Sequence, residues 1–152
     1  MGVPAELQEP MDKKLRSLTI EAYASAQTEA LLERLAWQVG HTAKRCDPES
    51  IHDLRVEVRH LTNCLRVFKQ FFAKPERKKI QPQLQALTKL AGEVRNRDIA
   101  LEVLALVPGV QDGDLATQLA KERKQAELEL VKALQRWTRR NLFRKWRGKL
   151  EL

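Results

Sequence analysis

An all-α fold, an antiparallel bundle of about four helices, is what this chain predicts, and three observations predict it. Leu, Ala, Glu, Lys, Gln and Arg dominate the composition, and summed over long windows these are strong helix formers. Apolar residues recur at three- and four-residue spacing, with no alternating strand pattern in competition. The breaks between these stretches are short, so consecutive helices must run antiparallel. At 152 residues the chain suits one domain, which buries roughly two-thirds of its unfolded surface and needs no staples.

Residues 1–10, with two prolines and no periodicity, read as a flexible arm ahead of a helical domain over 11–152. The first helix is expected from about Asp12 to Arg45, with Leu15, Leu18, Ala22, Ala26, Ala30 and Trp37 near one face. In "CDPES", Asp47 suits an N-cap and Pro48 the first turn of a second helix, expected to reach Ala73. Ile51, Leu54, Val58, Leu61, Leu65, Phe68 and Phe72 give that helix its apolar stripe. A third helix starts after Pro75 or at Pro82 and runs to about Val107, and "VPGVQDGD" is a turn. The fourth begins near Asp114, passes Leu115, Leu119, Ala126, Leu130 and Trp137, and breaks near Arg140 before the basic segment "NLFRKWRGKL".

The net charge of +8 is unevenly spread. Residues 44–101 hold 13 bases and 7 acids and residues 136–152 hold 7 and 1, whereas 1–43 and 102–135 each hold 4 and 6. Clustered positive charge favours an anionic partner. Cys46 and Cys64 lack metal-ligand spacing, so no metal site is expected and a reduced, cytoplasmic setting fits. No signal peptide, membrane-length apolar run or myristoylation signal is visible.

The cations of the second helix are ordered. At about 100° per residue, His52, Arg55, Arg59 and Arg66 fall within an arc of roughly 60° beside the apolar stripe, with Lys69 near its edge. Asp53 and Glu57 fall elsewhere, so no acid of this helix neutralises the row. One reading pairs these arginines with acids on neighbouring helices, their stems covering apolar surface. The other puts an anionic ligand in a groove. "IHDLRVEVRHLTNCLRVF" resembles the signature of the CHAD family, the conserved-histidine α-helical domain: a histidine, then R-V, then R-R-L. His52, Arg55, Val56 and Arg59 match, while His60 stands where arginine is usual. "LAGEVRNRDIALEVL" is similar to the family's L-G-x-x-R-D-x-D-V, with Arg95 and Asp98 matching and Asn96 where Asp is frequent. The resemblance covers about residues 30–147.

The resemblance implies a helical domain that binds inorganic polyphosphate through basic residues lining a groove or pore and associates with polyphosphate granules. Family members typically hold two four-helix halves related by pseudo-two-fold symmetry. This chain reads as one half, so a homodimer is expected to rebuild the arrangement. Guanidinium forks suit phosphate oxygens, and Lys adds point charge. The expected polyphosphate-binding residues are His52, Arg55, Arg59, Arg66, Lys69, Lys78, Lys79, Arg95, Arg139 and Arg140.

Asp98 sits on the apolar arc of the third helix and therefore needs a partner, Arg55 and Arg95 being the candidates. The C-terminal cations interleave with Trp137, Phe143 and Trp146; Trp137 and Phe143 are expected in the core, with the arginines framing the groove of the second helix. A binder of nucleic acid or an anionic membrane surface, using that segment, is the alternative reading, and nucleic acid is the expected competitor. No nucleophile–base pair, Gly-rich phosphate loop or metal motif points to an enzyme, and no cofactor is expected.

Overall fold

A computed structural model describes residues 5–109 and 113–152, with side chains from residue 19 onward outside that gap. It is all α-helical among the described residues: α1 (Ala5–Lys44), α2 (Pro48–Val67), α3 (Lys74–Ala105), α4 (Asp114–Arg139) and α5 (Leu142–Lys149). Each of the four long helices packs on two others, α1 on α2 and α4, and α3 on α2 and α4; α5 closes one end against α1 and α4.

Three boundaries differ from the sequence expectation. The first helix begins at Ala5 rather than near Asp12, while residues 1–4 of the expected arm lie outside the described residues. The second stops at Val67; a 3-10 turn, Lys69–Phe71, and an extended Phe72 follow, so the helix never reaches Ala73. Phe72 is itself buried, and reaching the core from there matters more than continuing the helix. Pro82 lies inside α3, which starts at Lys74 with Pro75 in its first turn. The expected turn before α4 includes Gly109 at φ +81°, and its residues 110–112 lie outside the described residues.

The core is formed by Leu32, Leu35 and Val39 of α1, Ile51, Leu54, Val58, Leu61 and Leu65 of α2, Leu84, Leu87, Ala91 and Val94 of α3, and Leu130 and Leu134 of α4. For α1 this corrects the expected face. Ala22, Ala26 and Ala30 are exposed and Trp37 is 66% exposed, whereas Leu31, Leu32, Leu35 and Val39 turn inward. A leucine–valine face removes more apolar area from water than one of alanines and a single tryptophan, and burial follows area. The side chains of Leu15 and Leu18 lie outside the described residues.

Buried polar groups anchor the start of α2. The Gln38 amide donates to Thr42 Oγ1 (3.0 Å) and to the Ser50 carbonyl (3.3 Å), fixing the first turn of α2 against α1. Asp47 caps that turn by accepting the Ser50 N–H at 2.8 Å, as the sequence predicts. This backbone hydrogen bond, with further help from Arg45, holds the Asp47 carboxyl below the usual range.

Candidate anion groove between α2 and α3

With α2 anchored at its start and its apolar stripe inward, its two flanks differ in charge. Glu57 faces α1, where Arg34 donates to it at 2.7 Å, and His60 of α2 itself lies 4.0 Å from it. His52, Arg55 and Arg59 lie on the other flank, facing α3, and all three are exposed. Glu57 is thus engaged on one side, and the cation row is left uncompensated on the other. Arg55 and Arg59 make no ion pair or hydrogen bond with any described residue, so the pairing with acids of neighbouring helices is not found for them there.

These side chains line a groove of about 400 Å³ with Val56, Thr62 and Asn63 of α2 and Gln85 and Thr88 of α3. No acid lines it. Thr62 and Thr88 donate their hydroxyls to the carbonyls of Val58 (2.7 Å) and Leu84 (2.9 Å), so they face the groove as acceptors. Arg66 Nη2 donates to Asn63 Oδ1 at 3.3 Å, which leaves the Asn63 amide as a free donor. The resulting surface is a cationic wall over an uncharged polar floor, which suits a flexible anion with many acceptor oxygens.

Other expected residues divide. Lys78 falls within about 20° of Gln85 around α3 and Arg95 within about 20° of Thr88, so both share the groove's face of that helix. Arg95 also pairs with Glu102 at 3.5 Å. Lys79 is turned about 120° from Gln85 and lies 4.0 Å from Glu76. Lys69 belongs to the 3-10 turn, off the helical row. His52 is exposed and makes no hydrogen bond with a described residue. Arg139 and Arg140 do not frame this groove. Arg139 lines one between α1 and α4, and Arg140 one between α3 and α4. The reason is that α4 packs on α1 and α3, so its end cannot reach the α2 flank; beyond it the left-handed Asn141 (φ +53°) leads into α5, whose Trp146 is buried in the core.

Trp137, Phe143 and Trp146 pack edge to face with ring centroids 5.2–5.8 Å apart, and Trp137 and Phe143 belong to the core as expected. The C-terminal segment therefore offers cations but not its aromatic faces.

Asp98 is buried as expected, but its partner is neither Arg55 nor Arg95. Arg123 of α4 donates from Nε to Asp98 Oδ1 (3.0 Å), from Nη1 to Glu127, and from Nη2 to the Cys46 carbonyl (2.9 Å). One guanidinium thus joins α3, α4 and the α1–α2 connection. Burial alone would lower its pKa; the hydrogen bond and charge of Asp98, with Glu127, more than offset this and raise it. Around this cluster the Cys46 thiol is pushed up to about 11, by burial first and by Glu127 second, with Arg123 opposing. Sequence reasoning missed Arg123 because it lies in a run of mixed charge with nothing to single it out. Among the described residues no His, Cys, Asp and Glu group could hold a metal ion, and no helix is long and apolar enough to cross a membrane.

Comparison with curated proteins and with solved structures finds no match. The family model of the CHAD domain matches residues 10–151, nearly the whole chain. The helical architecture and the two motif-bearing helices that face each other across the groove agree with that match, and the chain belongs to the CHAD domain family.

Proposed function

We propose that this chain binds inorganic polyphosphate along the α2/α3 groove, without catalysis, as an adaptor or granule-associated protein of the cytoplasm. CHAD domains are associated with polyphosphate binding. The observation that carries the reading is the pair Arg55 and Arg59, unpaired among the described residues and standing with His52 over an acid-free floor. Like charges held this close repel, and a polyanion relieves the repulsion. Arg66 and Lys78 extend the track toward the 3-10 turn, and Arg95 extends it the other way. The same reading expects a two-fold homodimer, a second copy standing where the family's second half stands, which sedimentation at several concentrations tests.

The test is a titration with long-chain polyphosphate and with duplex DNA at equal charge, at ~150 mM salt where exposed charges more than ~8 Å apart are screened. Wild type and Arg55→Glu/Arg59→Glu are compared. Polyphosphate is expected to bind more tightly than DNA, and the double variant to lose that binding. Equal binding of both polymers by both proteins would refute the groove as the site.

A further inference from the structure

The most exposed aromatic residue of the bundle serves neither the core nor the cation groove. Trp37 is 66% exposed on the outward face of α1, and its indole stacks on the His41 imidazole with centroids 4.9 Å apart and planes 9° apart. Burying a tryptophan is strongly favourable, so one held flat against a histidine in solvent is an unused π surface. Gly40 and Lys44, three and seven residues on from Trp37 and so on the same side of α1, line a groove of about 440 Å³ between α1 and α4 with Ala43, Gln135, Thr138 and Arg139; its wall is mostly aliphatic, and neither Trp37 nor His41 lines it. Its two cations come from different helices, no acid lines it, and neither cation is ion-paired with a described residue. A Cβ added at Gly40 meets nothing within 4 Å, so the groove is open above that residue.

We propose that this second groove is a nucleotide site: a base extends the Trp37–His41 stack, and its phosphate lies between Lys44 and Arg139. The spacing suits the ligand. Trp37 and Lys44 are two helical turns apart, about 10 Å along α1, a distance spanned by a base, its sugar and its phosphate together with the reach of a lysine. Base–aromatic stacking tolerates sequence and adds to affinity independently of charge. Polyphosphate has no base and gains nothing from the stack, so the two grooves sort anions by chemistry. The phosphate-bearing base could come from a free nucleotide or from a single strand, and both present the same groups.

Tryptophan fluorescence reads this site selectively, because Trp137 and Trp146 are only 8% and 2% exposed. Titration with AMP, ATP and oligo(dA) is expected to quench the emission, while ribose 5-phosphate and tripolyphosphate leave it unchanged. Calorimetry is expected to show adenylate affinity falling roughly tenfold in Trp37→Leu, in keeping with the loss of one stacked base. Gly40→Phe, which fills the open groove, and Lys44→Glu/Arg139→Glu should also remove binding; Arg55→Glu/Arg59→Glu should not. A free nucleotide is the source if ATP matches oligo(dA) per site, and a single strand if oligo(dA) binds far more tightly. Three results would overturn the proposal: no quenching by any adenylate, quenching that persists in Gly40→Phe and Lys44→Glu/Arg139→Glu, or a Trp37 that iodide cannot reach because a second copy covers it.

Discussion

Replacing Arg123 by methionine removes the guanidinium at similar volume and leaves three acceptors without their donor. Glu127 keeps Lys124 at 3.8 Å and retains solvent contact, and the Cys46 carbonyl lies on the part-buried α1–α2 connection. Asp98 has neither escape. Its side chain is 6% exposed, and among the described residues Oδ1 loses its only donor while Oδ2 already lacks one. Stranding a buried carboxylate costs about 3–5 kcal/mol, and the low end applies because Arg123 itself keeps some contact with water. At roughly 2–4 °C per kcal/mol for a protein of this size, ~3 kcal/mol lowers the melting midpoint by about 6–12 °C. Urea denaturation with the m-value held as a control measures the same loss directly. The double variant Arg123→Met/Asp98→Leu is expected to return to within about 1 kcal/mol of wild type, since an apolar pair can replace a buried ionic one. If Arg123→Met alone costs less than about 1 kcal/mol, Asp98 is solvated and the buried-pair reasoning fails.

Further outcomes follow from the local geometry of three residues. Cys46, with its thiol raised from 9.0 to about 11, carries about a hundredfold less thiolate than an unperturbed thiol near pH 8, and iodoacetamide labelling should slow in proportion. Because the unfolded thiol ionises at 9.0 while the folded one keeps its proton to about 11, the associated stability is complete below pH 9 and lost as pH rises through 11; midpoints of a Cys46→Ser variant should fall less over that window. Asp47, whose folded carboxyl is held below its ordinary value, contributes stability that is present above that value and lost on acidification, so Asp47→Asn should keep the cap but flatten the acid limb of the stability profile. Asn141 adopts φ +53°, so Asn141→Val is expected to cost about 1–2 kcal/mol by thermal melting and Asn141→Gly little or nothing.

Much of the site was readable because α2 is regular. Asp47 and Pro48 mark its start, the period of Ile51, Leu54, Val58 and Leu61 fixes its inward face, and the angular position of Arg55 and Arg59 then follows. The groove's other wall was less legible, since Gln85 and Thr88 carry no charge to draw notice. Angular arguments fail where a helix stops, as with Lys69 beyond Val67, and they say nothing of which neighbours a helix meets, as with Arg139 and Arg140 at the end of a helix packed on α1 and α3. They also fail on α1, where two apolar faces compete and only the area each can bury decides between leucines and alanines. The choice of Arg123 over Arg55 or Arg95 as the partner of Asp98 depends on which helix crosses at that level, a tertiary fact absent from any single helix.

The uncompensated row on α2 makes the fold a gauge of its surroundings. A bundle that tolerates Arg55 and Arg59 side by side without counter-charges among its described residues is at its least stable in dilute, low-anion solution. Under the proposed reading, free polyphosphate at a hundred times its Kd adds about 2.7 kcal/mol to the folded state. Phosphate-rich conditions would then lengthen the protein's lifetime as well as load it, so its abundance would follow the polymer it binds.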